Sequence, residues 1–445
     1  MERAAPASTK RTLLLLFLVA LAVRAAMALW LPQEVIWPDG IRYEKIALNL
    51  IEGRGFGDLI DNHLSVPTQP LLIAAVYSIF GKSYLVLRLV SAVIGAASCV
   101  VGFLLARTLF GSIAAIFTGL LLAFYPHLVY VSALFEYPQT LAIFLVGIFL
   151  LIWVRFADDP RIAPRFLTGA LLGTLILTLP SLLIFAPVFL LLLFRRGCSW
   201  RRNAGYVAAA LAGLALTVGA WTWRNYVAYG HVVVVNAASG VNFWVANNET
   251  YARYGKRSVV PACAEGYEWT SYCHEHRAVL DELRRRDLQG TPRVLEHERM
   301  AWEHGLRYMR EYPLAFTLLA VKKFARLWSP WPDAVHTGPA RGGAARDVIS
   351  ALAYLPVLLL SLVGLVLSAR EGARRLVPIY VFMVMFVAPF AIFLPTMRYR
   401  LPIDFLLIVF ASVPLARLWS TVVDAHKRQR TERQARTRQL DSTVG

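Results

Sequence analysis

An acid, a guanidinium and a phenol lie within one helical turn of each other, directly after the first apolar run of the chain. They are Asp39, Arg42 and Tyr43, and the run before them extends from Leu13 to Leu31. A carboxylate in this position can act as a general base, for example on a hydroxyl or amine that attacks the anomeric carbon of a sugar. It can equally serve as a helix N-cap, because Asp is among the residues most favoured there. The two interpretations are compatible, since a carboxylate that caps a helix is also held in place.

Glu136 is the second acid that could take part in chemistry. It follows an apolar run and stands in the segment Ser132–Pro138. An ionisable residue at membrane depth is a functional candidate, because burial in lipid is costly for a charge without a use. The alternative is a Glu at the interface that faces water. We predict that Asp39 and Glu136 are the catalytic acids, and the alternative for Glu136 stays open.

Arg398, Tyr399 and Arg400 form a polar stretch between two apolar runs near the carboxyl end. The planar guanidinium of Arg can bind a phosphate through two hydrogen bonds, and it can stabilise the charge on a departing phosphate. Arg and Tyr are also common anchors at the membrane surface, which is the alternative interpretation. We predict that this stretch binds the phosphate of a lipid-linked donor.

The composition indicates a membrane protein, with 57% hydrophobic and 17% charged residues and a mean hydropathy of +0.53. Several apolar runs are long enough to cross a hydrocarbon core about 30 Å thick. Each must be helical, because lipid offers no hydrogen-bond partner to the backbone. We therefore predict an all-α multi-pass membrane protein with amphipathic external helices and one small external domain. The predicted spans are 12–31, 84–107, 111–131, 139–154, 167–180, 181–194, 204–222, 348–368, 376–396 and 401–420.

Lys and Arg in the short loops predict the orientation. The basic residues of 155–165, 195–202 and 370–375 fall on one side together with the basic tail, so we expect that side to be cytoplasmic. The net charge of +18 then reflects topology and contact with membrane lipids, and no nucleic-acid partner is expected. The predicted parts are a transmembrane module (1–222) whose external loop (32–69) carries the catalytic acid, an external domain (223–347), further spans (348–420) and a cytoplasmic tail (421–445).

The external segments carry more detailed expectations. Asp39 to Glu52 is expected to form an interfacial helix. His231–Val235 reads as a β-like run, and 275–311 as a charged helical portion. The apolar helix Phe316–Trp328 contains three cations, so we predict that it lies on the membrane, with a true span as the alternative.

The external cysteines are Cys263 and Cys273, which lie in the predicted external domain. Oxidation is permitted outside the cytoplasm, so a disulfide between them is plausible.

Several pieces of the sequence, in this order and on this side of the membrane, resemble the GT-C superfamily of polyprenyl-phosphate-sugar glycosyltransferases. This is the clan of protein O-mannosyltransferases and lipid A aminoarabinose transferases (glycosyltransferase family 39-like), and the resemblance covers nearly the whole chain. The pieces are Pro38–Tyr43, Gly53–Phe56, Pro70–Leu72, Phe80–Gly81, Arg88, Tyr125–Pro126, Glu136, Trp223–Asn225, Gly240–Asn242, Asn247–Asn248, Leu327–Pro330 and Arg398–Pro402.

The resemblance implies an inverting transfer of one hexose or pentose from a polyprenyl phosphate to an extracytoplasmic glycan, lipid or protein. Asp39 would be the first-loop catalytic acid, Glu136 the second acid, and no metal or other cofactor would take part. The donor phosphate would be held by Arg42, Tyr43, Arg398, Tyr399 and Arg400, and the substrate cavity would include Arg88, Arg224, Asn242 and Asn247.

Two positions depart from the pattern of the superfamily. Gly40 stands where a Glu usually follows the first-loop Asp, and Gln69 stands where aminoarabinose transferases have a Lys. Lipid A is therefore a doubtful acceptor.

Two other functions would use a similar cavity and similar cations. One is a transporter or flippase of a lipid-linked saccharide, and the other is a ligase or polymerase that moves a whole glycan. No P-loop, dinucleotide fingerprint or HExxH motif occurs in the sequence, which argues against a nucleotide-driven pump and a zinc protease.

Overall fold

The apolar runs are helices in the computed structural model, which describes residues 7–35, 38–57, 65–195, 197–254, 271–331 and 344–444. Within these ranges the regular structure is helical and no strand is present. Five helices are long and apolar enough to cross a membrane: Thr9–Trp30, Tyr84–Phe110, Trp200–Tyr229, Ala345–Arg370 and Met397–Lys427. The prediction of an all-α multi-pass membrane protein is confirmed.

The helices of the described residues are numbered in chain order. The α-helices are α1 (Ala7–Trp30), α2 (Pro38–Ile51), α3 (Thr68–Phe80), α4 (Tyr84–Phe110), α5 (Ser112–Phe124), α6 (Pro126–Ser132), α7 (Gln139–Arg155), α8 (Ala163–Thr178), α9 (Phe185–Leu192), α10 (Trp200–Leu214), α11 (Ala220–Tyr229), α12 (Ser239–Ala246), α13 (Glu249–Tyr254), α14 (Ser271–Arg285), α15 (Gly290–Glu311), α16 (Pro313–Leu327), α17 (Ala344–Val387), α18 (Pro389–Ile392) and α19 (Met397–Val444). A 3₁₀ turn, Pro180–Ile184, precedes α9, and a π-helical turn, Ala215–Gly219, joins α10 to α11.

The predicted span 111–131 is two helices, α5 and α6, which meet at an angle of 57°. Pro126 causes the break, because proline cannot donate the backbone hydrogen bond that would continue α5. Arg24 of α1 uses the carbonyl groups that the break leaves open, donating to Leu122 at 3.0 Å and to Ala123 at 3.2 Å. A buried cation inside the first span is thus stabilised by the end of another helix.

Helix α17 is assigned as one helical run of 44 residues, but the chain reverses within it. The hydroxyl group of Tyr380 donates to the carbonyl oxygen of Leu365 at 3.1 Å, and these residues are 15 positions apart. In a straight helix that separation would be about 22 Å, beyond the reach of a Tyr side chain. The two halves therefore run antiparallel, as the predicted spans 348–368 and 376–396 require.

Helices α8 and α10 cross closely because glycines face each other's backbone. A Cβ atom at Gly169 would lie 1.9 Å from the carbonyl oxygen of Ala210, and one at Gly213 would lie 2.1 Å from that of Phe166. Small residues at such crossings let two membrane helices approach. Helix α8 ends at Thr178, two residues before the end of the predicted span 167–180.

The prediction of a β-like run at 231–235 is wrong, because these residues form no strand. Side chains of α11 take the carbonyl groups that a partner strand would otherwise use. Asn225 donates to Val233 at 2.7 Å, and Trp221 donates to Val235 at 3.0 Å. The segment therefore runs along α11 as irregular backbone.

Among the described residues, the region predicted to be external contains helices α12 to α16. The predicted charged portion 275–311 is the helix pair α14 and α15. Helix α16 has 15 residues and is about 22 Å long, which is too short to cross the hydrocarbon core. Cys273 is buried, whereas Cys263 lies outside the described residues, so their disulfide stays a prediction.

Glu298 of α15 caps the first turn of α12. Its carboxylate accepts hydrogen bonds from the hydroxyl group of Ser239 at 2.8 Å and from the backbone N–H groups of Gly240 at 2.6 Å and Val241 at 3.1 Å. A negative charge at a helix N-terminus is favourable because it satisfies N–H groups that have no partner within the helix. This contact fixes α12, which carries Asn242 and leads into Asn247.

Candidate active site

Asp39 lies inside the first turn of α2, so it is not the N-cap that the sequence allowed. One carboxylate oxygen, Oδ1, is 2.7 Å from Nη2 of Arg42. The other, Oδ2, is 2.8 Å from Nη1 of Arg398, a residue 359 positions further along the chain. The predicted first-loop acid and the predicted C-terminal cation are thus in direct contact. Asp39 is 27% exposed and Arg398 is 23% exposed, so the pair borders solvent.

Aromatic rings surround the guanidinium of Arg398. Its Cζ atom lies 4.3 Å from the centre of the Tyr137 ring and 5.0 Å from that of Tyr399. Nη2 donates to the Tyr399 hydroxyl at 3.1 Å, and the Tyr399 ring stacks on Phe390 at 5.2 Å. Such contacts stabilise a cation over the face of a ring. Arg398 is therefore held in one orientation.

Two buried hydrogen-bond donors at this site have no protein partner among the described residues. They are the Nε–H groups of Arg42 and Arg398, on the two side chains that bind Asp39. A buried donor without an acceptor is costly, typically by about 1–3 kcal/mol. An anionic ligand that enters between these side chains would supply the missing acceptors.

The phenols of this site are neutral donors. Burial raises the pKa of Tyr43 above its ordinary value, and the nearby Asp39 carboxylate raises it further. Burial also raises the pKa of Tyr137, although the adjacent Arg398 opposes that shift. Both phenols therefore keep their protons at neutral pH and can act as hydrogen-bond donors.

Glu136 is fully buried, so the alternative in which it faces water is wrong. Its Oε2 atom accepts a hydrogen bond from the backbone of Phe135 at 3.0 Å, and Oε1 is 3.9 Å from Nη2 of Arg88. Arg88 is also fully buried. It donates to the carbonyl oxygens of Leu31 at 3.3 Å, of Glu34 at 2.9 Å and of Pro32. This pair therefore ties the chain that leaves α1 to α4.

Gly40 departs from the superfamily pattern for a steric reason. A Cβ atom at this position would lie 2.5 Å from Cγ of Glu136 and 2.9 Å from Cγ1 of Val35. Glu136 thus fills the space that a side chain at position 40 would need. The second departure, Gln69, touches the same segment, since its amide donates to the carbonyl oxygen of Phe135 at 2.5 Å.

Arg400 does not join Arg398 at Asp39. Its Nε atom lies 3.0 Å from Oδ1 of Asp404, and both side chains are almost completely buried. Nη1 donates to the carbonyl oxygens of Leu327 at 3.0 Å and Ser329 at 2.8 Å, and Cζ lies 3.6 Å from the centre of the Tyr354 ring. Arg400 therefore anchors the end of α16, and its role in donor binding stays a prediction.

The next two predicted cavity residues are Arg224 of α11 and Asn242 of α12. Arg224 is held by three rings, at 5.3 Å from Phe56, 5.2 Å from Trp221 and 5.0 Å from Tyr229. Asn242 is exposed on α12. These two residues make no described contact with the Asp39 group, and their place in a substrate cavity stays a prediction.

Asn247, the last of the predicted cavity residues, is fully buried. Its amide donates to the carbonyl oxygen of Ile392 at 2.8 Å, and its Oδ1 accepts from Lys323 at 2.8 Å. Its role in the cavity also stays a prediction. In the described part of the chain, no group of three or more His, Cys, Asp or Glu side chains is arranged to hold a metal ion.

The structure adds residues that the sequence reasoning did not select. Glu44 holds α2 in place, accepting from the hydroxyl groups of Tyr77 at 2.7 Å and Tyr84 at 2.9 Å, with Lys82 at 3.2 Å. Ala47, three residues after Glu44, is buried, so the two residues share one face of α2. This helical spacing could have identified Glu44 as a residue of the buried face. Tyr137 was also missed, although it directly follows Glu136.

Comparisons with known proteins agree with this architecture. A family profile described as dolichyl-phosphate-mannose-protein mannosyltransferase matches residues 65–223. The oligosaccharyltransferase AglB from Archaeoglobus fulgidus, solved with an inhibitory peptide and a dolichol phosphate, aligns with a TM-score of 0.54 at 15% identity. The alignment covers 93% of this chain and 52% of AglB. The chain has the GT-C fold. No curated protein sequence matches it.

Two further solved structures are similar to this chain. An A. fulgidus oligosaccharyltransferase, tethered to an acceptor peptide containing the NVT sequon, aligns with a TM-score of 0.51 at 16% identity, covering 91% of this chain and 50% of that one. ArnT from Cupriavidus metallidurans bound to undecaprenyl phosphate aligns at 0.44 and 16% identity, covering 93% and 79%. This GT-C chain spans about half the length of the archaeal enzyme.

The family profile and the site overlap only in part. The matched residues 65–223 include Gln69, Arg88 and Glu136, whereas Asp39 and Arg398 lie outside them. The similarity to AglB supports the fold over most of the chain. The ion pair between Asp39 and Arg398 lies outside the profile and is supported by the distances given above.

Proposed function

We propose that this GT-C protein is a glycosyltransferase of the cytoplasmic membrane with its active site on the outer side. It transfers one hexose or pentose from a polyprenyl phosphate to an extracytoplasmic glycan, lipid or protein, with inversion at the anomeric carbon. The observation that carries the proposal is the contact between Asp39 and Arg398, which joins a candidate base to a candidate phosphate ligand at one solvent-bordered point.

The proposed reaction is a single displacement. A lone pair on the acceptor oxygen or nitrogen forms a bond to the anomeric carbon while the bond from that carbon to the phosphate oxygen breaks. The bonding electrons leave with the polyprenyl phosphate, and Asp39 takes the proton of the acceptor. Arg398 and Arg42 stabilise the charge that develops on the phosphate.

The ion pairs of Asp39 set the order of the proposed steps. Both carboxylate oxygens of Asp39 are bound to arginines, so the base is masked. A phosphate offers Arg398 a second anionic partner at the same surface. When the phosphate replaces Asp39 as the partner of Arg398, the hydrogen bond from Nη1 of Arg398 to Oδ2 of Asp39 is lost, and this oxygen can accept the proton of the acceptor. The donor therefore binds before the base becomes active.

Glu136 takes a supporting role in this proposal. Its carboxylate is fully buried, and its Cγ atom fills the space beside Gly40. It holds the first turn of α2, which carries Asp39, while Arg88 opposite it holds the preceding segment. Proton transfer is assigned to Asp39 alone.

The comparisons support a lipid-linked donor. The matched family profile names a dolichyl-phosphate mannose as donor, and the AglB structure of the same fold contains a dolichol phosphate. AglB also favours a second candidate, because it is an oligosaccharyltransferase, and an A. fulgidus oligosaccharyltransferase was solved with a tethered acceptor peptide. In that case the chain would transfer a whole glycan rather than one sugar.

The test is transfer by purified protein in lipid nanodiscs. Undecaprenyl phosphates that carry a single radiolabelled hexose or pentose are supplied with glycan, lipid and peptide acceptors. We expect turnover of a monosaccharide donor, and Asp39→Asn should reduce it by about 10²–10⁴-fold, since it removes the base. Asp281→Asn is the matched control, because Asp281 is an exposed acid on α14.

Three outcomes would contradict the proposal. Full activity of a folded Asp39→Asn variant would remove the assigned base. Turnover of glycan-carrying donors alone would favour the oligosaccharide alternative. Movement of an intact donor between leaflets without its cleavage would indicate a flippase.

A further inference from the structure

Lys323 is a buried cation that the proposed mechanism does not use. It lies on α16, its side chain is 1% exposed, and its Nζ atom donates to three oxygens. These are the carbonyl oxygen of Ile392 at 2.6 Å, Oδ1 of Asn247 at 2.8 Å and the carbonyl oxygen of Ala246 at 3.3 Å. An ammonium group has three donors and no acceptor, so all of its hydrogen-bonding capacity is directed at these oxygens.

The oxygens belong to the ends of two helices. Helix α12 ends at Ala246 and helix α18 ends at Ile392. Carbonyl groups at a helix C-terminus have no partner within the helix, and in longer helices they carry partial negative charge, so a cation is favourable there. The amide of Asn247 donates to the same Ile392 oxygen at 2.8 Å. Lys323 and Asn247 together therefore fix the end of α18.

The end of α18 leads directly to the site. Ile392 precedes Arg398 by six residues, and Arg400 follows it by two. Arg400 is bound to the carbonyl groups of Leu327 and Ser329 at the end of α16. Helix α16 is thus attached to the chain on both sides of Arg398, through one buried cation on each side.

We propose that Lys323 is a positioning residue, which keeps Arg398 in reach of Asp39 and of the donor phosphate by fixing the turn between α18 and α19. It acts through this turn and touches neither residue. The inference rests on the proposed function, in which Arg398 binds the phosphate, and it assigns part of the external domain to the donor site.

The experiment compares Lys323→Met with Lys322→Met in nanodiscs. The Met side chain is similar in length and removes the charge, and Lys322 is the exposed neighbour on the same helix. Hydrogen exchange followed by mass spectrometry reports on residues 389–400, and the KM for a polyprenyl-phosphate sugar reports on the donor site. For Lys323→Met we expect faster exchange in this segment and a KM increase of up to about 10²-fold, because small displacements of a positioning group have such effects. Lys322→Met should match the wild type in both measurements.

A double variant separates positioning from general stability. If Lys323 acts through Arg398, then Lys323→Met should add less than about twofold to the KM effect of Arg398→Gln, because residues that act through one another are not additive. Multiplication of the two effects would overturn the proposal. If Lys323→Met does not fold, Lys323→Gln replaces it, since the amide keeps a donor.

The two proposals can fail separately. If the wild type cleaves none of the lipid-linked sugars, the proposed function fails, and the exchange comparison still tests the attachment of the turn. If exchange at 389–400 is unchanged in Lys323→Met, the inference about Lys323 fails even when sugar transfer is observed.

Discussion

Arg398 and Arg400 lie two residues apart in the first turns of α19, and both are paired with an acid, yet their surroundings differ. The partner of Arg398 is Asp39 of α2, 359 positions away, and about a quarter of each side chain is exposed. The partner of Arg400 is Asp404, four positions away on the same helix, and at most 1% of either side chain is exposed. One pair borders solvent between distant segments, and the other is enclosed by helices.

The difference separates two uses of the same chemical pair. A pair at the surface is worth little to stability, so its partners can be exchanged for a ligand at small cost. A buried pair cannot be opened in this way, because each charge would be left without compensation in a medium of low polarity. We therefore propose that Arg398 exchanges its partner for a ligand, whereas Arg400 supports the structure. Three substitutions test this assignment, in order of their expected effect on stability.

The largest effect on stability is expected for Arg400→Met. The change leaves Asp404 buried without its cation, which typically costs about 3–5 kcal/mol. Thermal unfolding in detergent, followed by intrinsic fluorescence, should show a clear loss of stability. Adding Asp404→Leu should recover most of it, because a packed apolar pair can replace a buried ion pair. A stable Arg400→Met protein would contradict the comparison.

Arg398→Gln should have the opposite profile. Its stability should change by no more than about 1 kcal/mol, because the pair with Asp39 is partly exposed. The KM for the polyprenyl-phosphate donor should rise by about 10–100-fold, since a charge-assisted hydrogen bond to the phosphate is worth about 1.5–3 kcal/mol. Steady-state kinetics with a labelled donor give this value. Unchanged donor kinetics in a folded variant would remove Arg398 from the phosphate site.

The smallest effect is expected for Arg299→Gln. Arg299 of α15 lies in an exposed network with Glu296 and Glu303, and about half of its side chain is exposed. Such pairs contribute about 0–1 kcal/mol. Thermal unfolding and donor kinetics should therefore both remain close to the wild type. A loss of stability as large as that of Arg400→Met would show that burial does not set the order.

The two arginines also show what the sequence could predict. The sequence predicts that Arg398, Tyr399 and Arg400 bind the donor together, because they form one polar stretch between two apolar runs. In the structure this stretch is helical, and residues two positions apart in a helix point in nearly opposite directions, about 200° apart. If the predicted span 401–420 had begun at 397, Arg398 and Arg400 would have been placed on different faces of one helix.

Features with a local cause were predicted well. The positions of most spans, the end of α8 before Pro180 and the end of α2 before Gly53 follow from hydropathy, proline and glycine. Gly53 has a φ of 75°, a conformation that glycine adopts at little cost.

Features that depend on distant contacts needed more than the local pattern. The resemblance placed Asp39 and Arg398 at one site, but their direct pairing depends on the packing of segments far apart in the sequence. At residues 231–235 a run of β-branched residues indicated a strand, but side chains of α11 took the carbonyl groups instead. At these residues, hydrogen bonds from a neighbouring helix outweigh the strand propensity of the sequence.

The contact between Gly40 and Glu136 has an evolutionary consequence. The two positions share one volume, since a methyl group on Gly40 would collide with the Glu136 side chain. A relative that carries an acid at position 40 must therefore shorten residue 136 or shift the first turn of α2. Across homologous chains these two sites should covary, so that a larger side chain at position 40 occurs with a smaller one at position 136.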